Sequence, residues 1–136
     1  MDIRTYLRQG KPLLFDGAMG TWFAAQPGRA GEPCEKADLE HPEEIAAIHK
    51  AYLEAGCRAI KTNTFGVGAE LAENGEEQAE RLIEAACRLA LDAARPYDAW
   101  VFADLGPAPR GRELSPGENY IRQAEMFLGQ GVTHFL

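Results

Sequence analysis

Leu13-Leu14-Phe15-Asp16-Gly17-Ala18-Met19-Gly20-Thr21 carries a short apolar run straight into a carboxylate and a turn bracketed by glycines. The same change of character recurs twice downstream. Ala59-Ile60-Lys61 runs into Thr62-Asn63-Thr64-Phe65-Gly66, and Ala99-Trp100-Val101-Phe102-Ala103 runs into Asp104-Leu105-Gly106-Pro107. Strands rarely need such residues at their ends. Parallel strands in α/β barrels and doubly wound sheets do, because their active sites gather at the C-terminal ends of successive strands. The three runs therefore predict an α/β fold and an enzyme.

Helical patterns fill the intervals. Residues 3–9 read as a short opening helix, broken by Gly10-Lys11-Pro12. Residues 26–33, rich in Gly, Pro, Arg and Glu, read as a surface loop. Pro42 fits the first turn of a helix, and Glu43 and Glu44 sit favourably near its positive end. In that helix Ile45, Ile48, His49, Tyr52 and Leu53 form one apolar stripe, and Gly56 stops it. Gly66-Val67-Gly68 and Asn74-Gly75 frame what reads as a short connecting stretch. A longer helix from about Glu76 to Arg95 shows Ala79, Leu82, Ile83, Ala86, Ala90 and Ala93 on one face, and Pro96 ends it. Residues 106–117 look like a loop above a strand end. A last helix carries an apolar stripe of Tyr120, Ile121, Ala124, Phe127 and Leu128. Val132-Thr133-His134-Phe135-Leu136 then reads as the start of a fourth strand. Strand–helix alternation of this kind calls for right-handed crossovers and a parallel sheet. About three and a half such units cannot close an eight-stranded barrel. The expectation is a single partial domain, residues 1–136, cut within strand four.

Composition narrows the partners. A net charge of -7, with Lys and Arg scattered, argues against a nucleic-acid surface. No apolar run approaches the roughly 20 residues that span a bilayer. Residues 1–6 lack the apolar stretch of a signal peptide. Three widely spaced cysteines do not suggest a disulfide framework, so a reducing cytoplasm is the expected compartment. Oligomeric state is not legible.

The chemistry-bearing residues lie at the strand ends. The Gly17–Gly20 turn lets a ligand approach the backbone and leaves N–H groups free for an anion such as a carboxylate. Asp16, at the strand tip, can hold a cationic amine. Asn63 and Thr64 can fix a polar small molecule, or satisfy neighbouring loop backbone. Asp104 reads either as a ligand-facing carboxylate or as a turn cap. Three such places at three successive strand ends favour one shared pocket. Cys34 falls in the polar loop, Cys57 just before strand two, and Cys87 on the apolar side of a helix, where packing is the expected role. His49 reads as a core or rim side chain. No C-x-x-C or H-x-x-x-H spacing is present, so no zinc site is legible, and no Ser-His-Asp or Cys-His arrangement is seen.

Taken in order, Phe15-Asp16-Gly17-Ala18-Met19-Gly20-Thr21, His41-Pro42-Glu43-Glu44-Ile45 through Ile48-His49 and Tyr52 to Ala55-Gly56, Thr62-Asn63-Thr64-Phe65-Gly66 and Leu105-Gly106-Pro107 resemble the homocysteine S-methyltransferase family. The resemblance implies that the chain is the N-terminal part of a (β/α)8 TIM barrel, with methyl transfer to the homocysteine thiol to form methionine as the parent activity. It implies Asp16 beside the substrate amine, Gly17, Ala18 and Met19 with backbone against the substrate, and Asn63, Thr64 and Asp104 lining the pocket. It implies Zn2+ held by three cysteines in the second half of the barrel, in an Asn-Cys pair and a Gly-Gly-Cys-Cys-Gly stretch; Cys34, Cys57 and Cys87 match none of them. A glutamate helping to hold the amine would follow Leu136. The 136-residue chain alone is therefore expected to be inactive. The methyl donor is open among a methylated corrinoid, a folate-derived methyl, a sulfonium and betaine. Two other readings stand beside this one: a barrel enzyme whose glycine-rich loop takes phosphate, and a truncated barrel serving as a non-catalytic binding or assembly module.

Overall fold

Three short strands pair in parallel and in chain order: β1 (Ala59–Lys61), β2 (Trp100–Ala103) and β3 (His134–Phe135). The computed structural model describes residues 2–136. Register sets Ile60 against Val101, Lys61 against Phe102, and Phe102 against His134. Phe15 adds one parallel bridge to Ala59 on the free edge of β1. The first predicted strand is thus shorter than expected. Leu14 O accepts from the N–H groups of Arg58 and Ala59, Asp16 N–H donates to Ala59 O, and the pairing stops there. A strand held along one edge only has half the ladder to keep it extended.

Helices α4 (Pro42–Glu54), α6 (Glu76–Ala94) and α7 (Pro116–Gly129) follow the pattern of the expected ones. Two further helices, α1 (Ile3–Arg8) and α2 (Gly20–Ala24), flank the first apolar run. Behind the loop of residues 26–33, a 3-10 turn at Cys34–Lys36 leads into α3 (Ala37–Glu40). A second 3-10 turn, Arg95–Tyr97, takes up Pro96 at the end of α6.

Helix α6 is the hub. It packs on α4, α5 (Val67–Asn74), α7 and both longer strands. Its alanines, at positions 79, 86 and 90, are fully buried and let these neighbours approach closely. On β2, Val101 and Ala103 turn into this core while Trp100 and Phe102 are half-buried on the other face. That other face is an aromatic row. The Phe15 and Phe102 rings lie 4.9 Å apart, Phe102 and His134 5.1 Å, and Tyr6 of α1 stands 5.0 Å from Trp100. The Tyr6 hydroxyl donates to Pro12 O, which anchors α1 at the N-terminal end of the strands. Among the described residues, no helix is long and apolar enough to cross a membrane.

Two expectations are corrected. Residues 66–75 are not a simple connection: α5 (Val67–Asn74) forms there, burying Val67 and Leu71 one turn apart. Gly75, at φ +88°, breaks it from α6. The buried row of α7 is Asn119, Gln123 and Phe127, while Tyr120, Ile121 and Leu128 are exposed. The reason is polar. Asn119 Nδ2 donates to Gly68 O at 2.8 Å, and Gln123 Nε2 donates to Asn119 Oδ1 at 2.7 Å. These bonds turn the helix so that its amides face the start of α5.

His49 lies in the core with neither ring nitrogen hydrogen-bonded among the described residues. Burial pushes its pKa down to about 4, so the ring is neutral at neutral pH.

Two outcomes follow from this packing. Phe127→Ala should cost about 3–5 kcal/mol in urea unfolding, whereas Ile121→Ala should stay within about 0.5 kcal/mol. His49 has a folded pKa below its usual value of about 6.5, so its contribution to stability is lost as pH falls from there towards about 4. The His49→Phe variant should therefore lose less stability than the parent between neutral pH and about pH 5, measured by the same unfolding series.

Candidate functional site

Parallel pairing in chain order delivers the three polar tails to one edge of the sheet, where a cleft of about 500 Å³ opens. Asp16, Gly17, Ala18, Met19, Asn63, Thr64 and Asp104 all line it.

Asp16 is held by the backbone and the side chain of Lys61, at the end of β1. Its Oδ2 accepts from the Lys61 N–H at 3.1 Å, and the Lys61 ammonium lies 3.4 Å from Oδ1. The side chain is 2% exposed. Burial raises its pKa, opposed by the Lys61 N–H and ammonium. Oδ1 receives no hydrogen bond among the described residues. Oδ1 thus has a cation at ion-pair distance but retains its capacity to accept a hydrogen bond from a further donor.

The turn after Asp16 is clamped by Tyr52 from α4. The Tyr52 hydroxyl donates to Ala18 O at 2.7 Å, and a Cβ on Gly17 would come 2.8 Å from that hydroxyl oxygen. Only glycine fits beneath the ring. Tyr52 also meets Trp22 of α2 edge-on at 5.0 Å. The backbone N–H groups of residues 17–21 donate to nothing among the described residues.

Thr62 and Thr64 stitch the end of β1 to the end of β2. Asp104 N–H donates to Thr62 Oγ1 at 3.1 Å, and Thr64 Oγ1 donates to Asp104 O at 2.9 Å. The two hydroxyl oxygens are 2.7 Å apart. Because the Thr64 proton goes to Asp104, Thr62 is the donor between them. The Asp104 carboxylate is left half-buried at the cleft; burial raises its pKa, and Lys61 pulls it back.

Asn63 is bound by protein on every side of its amide. Nδ2 donates to Cys34 O at 2.9 Å and to Asp38 Oδ1 at 3.1 Å, and Oδ1 accepts from Cys34 Sγ at 3.2 Å. The residue lines the cleft, but its polar atoms hold the Cys34–Asp38 segment in place. Next to it, Glu35 Oε1 accepts the Gly66 N–H at 2.8 Å. Asp38 is 1% exposed, and its second oxygen has no partner among the described residues. Burial, with the neighbouring Glu35 charge, pushes its pKa to about 8 against the bond from Asn63.

Sequence reasoning missed Tyr52 as a clamp, and Cys34, Glu35, Lys61 and Asp38 as neighbours of the site. Lys61 was visible as the only charge in an apolar run; nothing in the spacing marked Asp38. The thiols do not make a metal centre. Cys57 and Cys87 are core residues, and the Cys34 thiol is pushed up to about 12 by burial and by Glu35 and Asp38. Among the described residues no three His, Cys, Asp or Glu side chains are grouped to hold an ion. The zinc that the family resemblance implies is therefore not fitted by these residues.

Comparison with known proteins places these features. A sequence profile described as homocysteine S-methyltransferase matches residues 13–129. Betaine–homocysteine S-methyltransferase 1 of Mus musculus is 30% identical, the match covering 96% of this chain and 35% of that protein. The Bos taurus protein of the same name is 32% identical, with the same coverage. The Sus scrofa one is 30% identical, and 51% of it is covered. The chain spans about a third of the length of the first and second of these. Among solved structures, the homocysteine methyltransferase MmuM from Escherichia coli superposes with a TM-score of 0.78 in its oxidized form, at 25% identity, over 98% of this chain and 55% of that one. Its metallated form gives a TM-score of 0.75 at 22% identity, covering 56% of that chain.

The buried Asp38 carries a pH signature. Its folded pKa is raised above its ordinary value, so its contribution to stability is full below about pH 4 and is lost as pH rises towards 8. Asp38→Asn keeps an acceptor for Asn63 and removes the titration. Relative to the parent, this variant should gain stability between about pH 4 and pH 8, by a few kcal/mol at most, in chemical unfolding at both ends of the range.

Proposed function

Because the chain belongs to the homocysteine S-methyltransferase family, we propose that it forms the N-terminal part of a (β/α)8 barrel domain that transfers a methyl group to the sulfur of homocysteine, releasing methionine. The parallel strands in chain order, the helices packed on one face and the aromatic row on the other support the barrel reading. So does the coverage, since the chain matches about half of a solved homocysteine methyltransferase.

The observation that carries the functional reading is the open Oδ1 of a buried Asp16 at the head of a cleft to which three strand ends contribute. An ammonium seated there completes the carboxylate. In this reading Asp16 takes the substrate amine, and the backbone of Gly17, Ala18 and Met19 lies against the amino-acid end. Asn63 and Thr64 keep the cleft in shape, and Asp104 faces it. Fixing the amino-acid end directs the sulfur towards the donor methyl, and such orientation is a large part of any bimolecular barrier. The bond that forms is sulfur to methyl carbon; the donor leaves with the electron pair of the broken bond, and the thiol proton departs. Activating the thiol is not assigned to Cys34, which is itself a protonated donor to Asn63. The unpaired state of the three cysteines supports a reducing, cytoplasmic setting.

The test is calorimetric titration of the full-length protein with L-homocysteine, alongside methionine formation with betaine, a sulfonium, a methylfolate and a methylcorrinoid as donors. Homocysteine binding and turnover with one donor are expected. Asp16→Asn should weaken binding at least about tenfold while leaving the thermal midpoint close to the parent's. Unchanged affinity in that variant removes Asp16 from the role, and absence of both binding and turnover in the parent removes the function.

A further inference from the structure

Lys61 is the one cation among the residues lining the cleft, which it shares with Asp16, Glu35 and Asp104. Glu35 is occupied by the Gly66 N–H, and Asp16 Oδ2 by the Lys61 N–H. The Lys61 ammonium, Asp16 Oδ1 and the half-buried Asp104 carboxylate remain, and of these the first two form a pair. They stand 3.4 Å apart as an ion pair, yet Oδ1 is a buried oxygen that no hydrogen bond reaches among the described residues. A quarter of the Lys61 side chain is exposed against 2% for Asp16, so the cation is the more solvent-exposed of the two. An α-amino acid presents the same two charges in the opposite order, one carbon apart. Docked against this pair, its ammonium meets Oδ1 and its carboxylate meets the lysine.

We propose that Lys61 determines specificity by reading the free carboxylate of an α-amino-acid substrate while Asp16 takes the amine, an inference that rests on the amino-acid-binding reading above. A lysine suits the part: its compact charge on a flexible stem swings off Asp16 as the incoming ammonium takes its place. Bonds from an ammonium to a carboxylate are among the strong ones, and a ligand lacking the carboxylate leaves the lysine without a partner.

The test titrates the full-length protein with two matched pairs of probes, L-homocysteine and its carboxamide, and L-methionine and its carboxamide. Titrations run at about pH 6.5, below the α-amino pKa, so that all four amines are charged. Each amide keeps the amine and side chain and removes only the negative charge. The parent should prefer acid over amide by at least about tenfold. Lys61→Met should abolish the preference and Lys61→Arg should keep most of it. Removing Lys61 also disturbs Asp16, but that change falls on acid and amide alike, so the ratio isolates the carboxylate. Lys61→Gln serves where the methionine variant does not fold. No preference in the parent overturns the proposal by itself. A preference that survives Lys61→Met also overturns it and moves the carboxylate to the N–H groups of residues 17–21; in both cases homocysteine binding still upholds the functional reading. A Lys61-dependent preference for methionine without homocysteine binding supports the proposal and sinks the homocysteine assignment. Binding of none of the four probes sinks both.

Discussion

The parallel pairing of Ala59–Lys61, with Phe15 along one edge and Trp100–Phe102 along the other, is the constraint on which the remainder depends. Parallel strands end at the same side of a sheet, so whatever follows each apolar run is delivered to a common edge. Asp16, Thr62-Asn63-Thr64 and Asp104 are far apart in the chain and share a cleft for this reason alone. The lock between the ends of β1 and β2 is made by side chains, because Thr62 and Thr64 clasp the backbone of Asp104. Fixing the ladder therefore also fixes the floor of the cleft.

A second set of restraints closes the cleft from outside the sheet. The segment Cys34–Asp38 is a single 3-10 turn running into the four-residue α3, and Asn63 and Gly66 hold it down through Cys34, Asp38 and Glu35. This wall is polar and buried, which gives it geometric definition at an energetic cost concentrated in Asp38. The Asn119–Gln123 pair does similar work on the other flank, where it ties α7 to the first turn of α5. Both devices set positions through directional bonds where apolar packing would tolerate slippage.

Much of this was legible in advance. The strand ends named the cleft because their composition broke the apolar runs at comparable places, and the long stripe of α6 named its buried face. The α7 stripe misled because hydrophobic periodicity treats Asn119 and Gln123 as surface residues. Their burial rests on a partner, Gly68, that is distant in sequence. Helix α5 was obscured by the glycines at both ends, although Val67 and Leu71 give it a buried apolar pair one turn apart. Asp38 was illegible because a carboxylate in a charged stretch reads as solvated, and its burial depends on Asn63, distant in sequence. Asp16 and Lys61 were each visible, but that they face one another follows from the Phe15 bridge, which places a single residue of the first run beside β1.

The chain's two tryptophans mark the two ends of the strands. Trp100 opens β2, with the Tyr6 ring tilted against it and the Arg58 guanidinium 5.7 Å over it, so its surroundings depend on whether α1 is docked. Trp22 stands on Tyr52, whose hydroxyl grips the turn that follows Asp16. The protein thus carries two native optical reporters in different surroundings. Light emitted by one describes the closed base of the sheet, and light emitted by the other describes the mouth of the cleft, so replacing either indole with phenylalanine turns the intrinsic fluorescence into a gauge of the opposite end.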